Sequence, residues 1–150
     1  KDEIERVGVE EYYCSYYEFW KPEYHYEIAK KYCGYKPNTI RTEGTYTDFA
    51  SIDDKLDGFH YYLMFIKQGI GRATSDSAHQ VRHGIITRDK GVELVRKYDS
   101  EFPSLNLDLF LDYMEMSMDE LNQVFDKFRR PLIWNKENNE WKLQHQITKL

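Results

Sequence analysis

Cysteine is scarce. The 150 residues hold two, Cys14 and Cys33, and neither lies in a Cys-x-x-Cys pair. That excludes a zinc ribbon and a dithiol redox motif, and leaves reduced thiols or a single disulfide. Basic residues are outnumbered, with 21 Lys and Arg against 26 Asp and Glu and a formal net charge of -5. A general nucleic-acid-binding surface carries the opposite balance, so no nucleic-acid partner is expected. A local basic pocket for a phosphorylated small molecule stays open. Long apolar runs are missing too. The longest, Tyr61 to Ile66, falls far short of the ~18 residues of a membrane helix, and no membrane insertion is expected. The opening residues, KDEIERVGVEE, are charged and do not make a signal peptide. A cytoplasmic protein is expected. Walker A, HExxH and GxSxG signatures are all absent.

What is present is aromatic and helical. Hydrophobic residues make up 41% and aromatic residues 16%, with 13 Tyr. That is enough for one domain with one core. Residues Lys1 to Tyr12 are acidic and read as frayed or extended. Pro22 suits a first helical turn, and Gly34 a C-cap. Tyr24, Ile28 and Tyr32 repeat between them at helical spacing, with the YYEFW cluster expected to cover that helix. Residues Asn38 to Ala50 lack periodicity and read as a loop. Ser51 or Asp53 is expected to cap the next helix. There Leu56, Phe59, Leu63, Ile66 and Ile70 share one face, and YYLMFI is apolar all round, which marks the central buried helix. Gly69 and Gly71 end it.

Thr74 or Ser75 is expected to cap a short helix from Asp76 to His83, and Thr87 another. Leu105 to Met114 is helical in pattern. Ser117 and Glu120 form a capping box ahead of Leu121, Val124, Phe125 and Phe128. Trp134 and Trp141 flank a polar turn, as in a hairpin. The fold class expected is mainly α, a compact domain of about six helices with a small C-terminal β hairpin.

Chemistry concentrates between Thr45 and Pro103. The joint Gly69-Ile70-Gly71-Arg72-Ala73-Thr74-Ser75-Asp76 places glycines before a helix start, where backbone N–H groups and Arg72 suit an anion. The plainer reading is a helix–turn–helix joint with Arg72 paired to a carboxylate. Asp53, Asp57 and His60 fall at i, i+4 and i+3 on one expected helix face, where an acid orients a histidine for proton transfer. The plainer reading, which the sequence favours, is an ordinary acidic helix start with an amphipathic histidine. His79 and His83 have zinc-binding spacing but no third ligand. Between Gly69 and Gly91, Arg72, Arg82, Arg88 and Lys90 outnumber Asp76 and Asp89, a net positive stretch in an acidic chain. The candidate substrate-binding set is Arg72, Thr74, Asp76, Arg82 and Arg88, with Asp53, Asp57 and His60 behind them. No residue is given a catalytic role, and no metal site is expected.

The strings GRATSD, RHGIITR and KYDSEFP occur in that order, with WKPE and GTYTDFAS upstream and DKFRRPLIW and EWKLQHQ downstream. In this combination the chain resembles the C-terminal half of the N-acetyl sugar amidotransferases, over roughly residues 10 to 147. The resemblance implies a role in bacterial surface-polysaccharide pathways, O-antigen or flagellar pseudaminic or legionaminic acid. There a sugar acetamido group becomes an acetamidino group: ATP activates the amide oxygen and ammonia from a glutaminase attacks. ATP and Mg belong to an ATP-pyrophosphatase domain with an SGGxDS loop, usually preceded by a cysteine-rich zinc segment. Neither occurs in these residues, and the chain does not open on Met. The expectation is therefore the C-terminal domain of a longer enzyme, binding no cofactor itself. Its expected partners are its own N-terminal ATP-binding domain, an anionic or nucleotide-linked sugar, and a glutaminase subunit. The competing expectation is a non-catalytic interaction domain that docks on the ATP domain or the glutaminase through its aromatic segment and Trp hairpin.

Overall fold

A computed structural model describes residues 2–148. Among them the chain forms seven α-helices and one antiparallel hairpin. It divides into two compact units, Lys1–Tyr35 and Lys36–Leu150.

The first unit holds α1 (Asp2–Val7) and α2 (Pro22–Cys33). The acidic opening is helical rather than frayed, which is why the count is seven and not six. Asp2, Glu3 and Glu5 sit in its first turn, where the helix dipole favours them, and Glu3 pairs with Arg6 at 3.1 Å. Pro22 opens α2, and Gly34 closes it in the left-handed region at φ 69°. Neither helix buries a residue. Of the expected aromatic cover, Trp20 reaches α2 with its ring 4.6 Å from His25, while Tyr16, Tyr17 and Phe19 stay exposed. Cys14 and Cys33 are both free thiols at the surface.

The second unit is built on α3 (Asp57–Gln68), which buries Phe59, Tyr61, Phe65 and Ile66. Its core gathers Phe59 and Ile66 with Phe110 of α6 (Leu107–Tyr113) and Leu121 and Phe125 of α7 (Met118–Phe128). Phe59 and Phe110 stack at 3.9 Å, and Tyr62 meets Phe125 edge-on at 5.2 Å. The capping box is made in full: Ser117 Oγ accepts from Glu120 N, and Glu120 accepts from Ser117 N at 2.7 Å.

The start of α3 lies later than expected. Asp54 Oδ1 accepts from Leu56 N at 2.7 Å, an Asx turn that holds residues 53–56 out of the helix. Then α4 (Arg72–Arg82) and α5 (Arg88–Tyr98) pair closely. A Cβ on Gly91 would lie 3.3 Å from Val81 and 3.5 Å from Ser77, so the glycine lets the two backbones approach. Thr87 caps α5 by accepting from Lys90 N. Last comes the hairpin of β1 (Trp134–Glu137) and β2 (Glu140–Leu143), in register Trp134↔Leu143 and Lys136↔Trp141. Its two turn residues, Asn138 and Asn139, take φ 50° and 66°, the mirror-image turn that fits the strand twist. No described helix is long and apolar enough to cross a membrane.

Candidate functional site

The stretch without periodicity, residues 38–50, is tied down by polar contacts. Thr45 is fully buried, and Thr47 nearly so. Asn38 N donates to Asp48 O, and Thr42 Oγ1 to Ala50 O, which closes the segment on itself. Arg41 forks onto Glu101: Nη1 donates to Oε2 at 2.6 Å and Nη2 to Oε1. The guanidinium lies 4.6 Å from the Tyr98 ring and also donates to Thr45 O. Glu101 Oε2 accepts from Gly44 N as well. Partial burial pushes the Glu101 carboxyl up, but Arg41 and the Gly44 N–H outweigh it and hold it below its usual range.

Against this segment lies Arg72. Its Nε donates to Asp76 Oδ1 at 2.9 Å, its Nη1 donates to the Tyr61 hydroxyl at 3.0 Å, and the guanidinium sits 5.2 Å from the Tyr61 ring centre. The Asp76 carboxylate, whose side chain is 14% exposed, also accepts from Thr45 Oγ1 at 2.5 Å. The Tyr61 hydroxyl continues the chain to Ser51 Oγ. Ser51 has φ 54°, a left-handed backbone rare for a residue with a side chain. Burial pushes the Tyr61 hydroxyl above its ordinary range, against the pull of Ser51 and Arg72, so it stays protonated at neutral pH. For Arg72, burial works against the charge, and Asp76 more than restores it. Among the described residues nothing bonds Arg72 Nη2. The result is a guanidinium locked in place with one edge of its fork unused.

The glycine joint before α4 is arranged differently from the anion cradle read in the sequence. The helix begins at Arg72, two residues before the expected cap, and its N-terminus is already filled by the chain itself. Asp99, 5% exposed at the end of α5, accepts from Gly71 N at 2.8 Å, from Thr74 N at 2.9 Å and from Thr74 Oγ1. Ala73 N donates to Gly44 O. A Cβ on Gly71 would lie 2.8 Å from Asp99 Oδ1, so the glycine is there to admit a carboxylate of the same chain. A nucleotide phosphate has no place at this joint, and the residues present do not fit ATP there.

The remaining predicted residues are spread out. Arg72 and Arg82 lie at opposite ends of α4, about 15 Å apart along its axis. Arg82 Nη2 bonds His79 Nδ1, and Arg88 Nη1 donates to Thr148 O, both at the surface. The three arginines therefore do not converge. Asp53 lies before α3 and not on the helix face of Asp57 and His60. It lines a small cavity of about 210 Å³ with Glu43 and Lys55. His79 and His83 stand 6.0 Å apart, and among the described residues no three His, Cys, Asp or Glu side chains gather to hold a metal. Sequence reasoning missed Tyr61, Ser51, Thr45, Asp99 and the Arg41–Glu101 pair. Thr45 and Ser51 lie in the string GTYTDFAS and Asp99 and Glu101 in KYDSEFP, but nothing local assigned them these partners.

A family model described as "LPS biosynthesis protein WbpG-like, C-terminal domain" matches residues 43–148, from the polar segment to the end of the described chain. No curated protein matches the chain.

Proposed function

The chain belongs to the WbpG-like C-terminal domain family of LPS biosynthesis proteins, and from that premise we propose that it is the sugar-side domain of an N-acetyl sugar amidotransferase. In this reading the enzyme replaces the oxygen of a sugar acetamido group by NH, giving an acetamidino group. ATP activation and Mg belong to an ATP-pyrophosphatase domain outside these residues, and ammonia comes from a glutaminase. The single observation that carries the reading is Arg72. It is held by Asp76 and Tyr61 and keeps Nη2 open, as a residue that receives a carboxylate or phosphate must. Asp76, Tyr61 and Thr45 position it. Asp57 is near enough for its charge to act on both Arg72 and Tyr61, while Thr74 is bonded to Asp99 and Arg82 and Arg88 bond elsewhere.

The test is turnover of the complete enzyme with its ATP domain, read as the mass change of an N-acetylated sugar substrate. Arg72→Ala is expected to remove most activity while the fold survives, because the side chain is partly exposed. Wild-type turnover would refute the assignment. The second reading, a non-catalytic docking domain, is favoured by one observation: Arg72 is paired to a largely buried acid, and Arg82 and Arg88 stand apart from it. Full activity in Arg72→Ala would select that reading.

A further inference from the structure

The outer face of α6 is apolar and anionic at once. Phe110 lies in the core, with Leu107 and Leu111 packed against it. On the other side Leu109 and Tyr113 stand one turn apart, with Leu105 a turn before them, and all three are exposed. Beside that row run Asp108 and Asp112, also one turn apart. Glu115 follows in the joint to α7, and Asp119 in its first turn. From Tyr98 to Asp126 the sequence has no Lys, Arg or His. Among the described residues none of these four acids has an ion-pair partner. The arrangement works against α6. Like charges at i, i+4 repel, and Asp112 lies in the last turn, where the helix dipole disfavours an acid. A cation brought to this face relieves both.

The other end of α7 carries the opposite pattern. Lys127 and Phe128 close the helix, and the turn after it exposes Arg130 and Leu132. Leu132 is 86% exposed. Arg130 O accepts from Ile133 N and from Trp134 N, both at 2.9 Å, so the turn is held closed around Leu132. Lys67 Nζ lies 5.4 Å from the centre of the half-exposed Phe128 ring. Among the described residues Lys67, Lys127 and Arg130 pair with no acid. The anionic and cationic surfaces are thus set apart by the length of α7, ~16 Å for its 11 residues.

Such a surface is complementary to itself. When α7 of one copy runs antiparallel to α7 of another, the anionic end of each meets the cationic end of the other. We propose that the second unit forms a two-fold dimer in which the α6 face of each copy receives the 127–132 turn of the other, leucine and phenylalanine on the apolar row and Lys127 and Arg130 on the acids. Two-fold symmetry makes that contact twice. One contact covers on the order of 500 Å² of apolar side chain, too little for a stable pair. Two come to about 1,000 Å², and the charged rim brings them to the ~1,200 Å² of a specific interface. Between the two ends α7 exposes Asn122 and Gln123, which are uncharged and oppose no neighbour. The inference rests on these two surfaces and not on the sugar reading.

The experiment is sedimentation velocity of the chain over a rising concentration series. A monomer–dimer equilibrium is expected, weaker at high salt. Leu132→Glu puts an acid in the turn and is expected to weaken the dimer at least about tenfold. The side chain is so exposed that circular dichroism of this variant should match wild type. Asp112→Lys and Arg130→Glu should each weaken the dimer likewise, because each spoils both contacts with its own kind. Mixed together they should pair about as well as wild type, since the introduced lysine then meets the introduced glutamate and the second contact is native. Association through the exposed aromatic residues of the first unit is blind to all three changes. A monomer at every concentration, growth beyond a dimer, a dimer that survives Leu132→Glu, or a mixture that pairs no better than its components overturns the proposal.

Discussion

Replacing Asp99 by alanine should unplug the start of α4. The carboxylate sits at the end of α5, is almost fully buried, and takes three hydrogen bonds from Gly71 N, Thr74 N and Thr74 Oγ1. A lost N-cap alone costs ~1 kcal/mol. Three bonds to a charged acceptor at ~1.5 kcal/mol each set the upper side. Relaxation and water entry recover some of that, so the expected loss is about 3 kcal/mol. For a unit of this size that corresponds to a fall in Tm of roughly 10 °C. The assay is thermal and urea unfolding by far-ultraviolet circular dichroism. Thr74→Ala, which removes one of the three bonds, should cost ~1 kcal/mol. The double variant should cost little more than Asp99→Ala alone, because the partner is already gone. A loss below ~1 kcal/mol for Asp99→Ala, or full additivity in the double variant, would refute the view that this carboxylate closes the helix.

Gly71→Ala tests the same seat from the other side. The added Cβ meets Asp99 Oδ1 at 2.8 Å, so a loss of ~2 kcal/mol is expected in urea unfolding. Phe59→Ala removes the ring stacked on Phe110 and should cost ~3–5 kcal/mol, a large share of the roughly 5–15 kcal/mol that keeps a domain folded, read as a fall in the urea midpoint. The Glu101 carboxyl is held below its usual range in the fold, so it binds fewer protons there than in the unfolded chain. Its stabilising contribution is therefore complete above the ordinary glutamate value and is lost as pH falls through the lowered one. Glu101→Gln should be less stable than wild type at pH 7 and converge with it in acid. A constant gap between the two down to acid pH would contradict the Arg41–Glu101 account.

Local chemistry was readable and long-range chemistry was not. The Ser117–Glu120 box, the Thr87 cap and the left-handed Gly34 and Gly69 involve residues a few positions apart, and their side chains dictate them directly. The central helix was legible because Phe59, Ile66 and their neighbours repeat at helical spacing. At the joint before α4 the plainer reading held, with Arg72 paired to Asp76, but the partner of its backbone N–H groups, Asp99, was out of sight because it lies 28 residues from Gly71. Glycine followed by a helix start signals an anion, but it does not say whether the anion is a ligand or a side chain of the same protein. Asp53 was placed on the α3 face because nothing periodic marks an Asx turn at Asp54. The segment around Thr45 is a loop, as read, but its order was not legible because it comes from Asp76, Glu101 and Gln80, 31 to 57 residues away.

The central claim is that the sugar side of an amidotransferase lies in this chain and the ATP side does not. Calorimetric titration of the chain, separately with ATP and with a nucleotide-linked N-acetylated sugar acid, tests it most directly. Heat of binding for the sugar, lost in Arg72→Ala, with none for ATP is the result this account predicts. Binding of ATP with the sugar silent would contradict it.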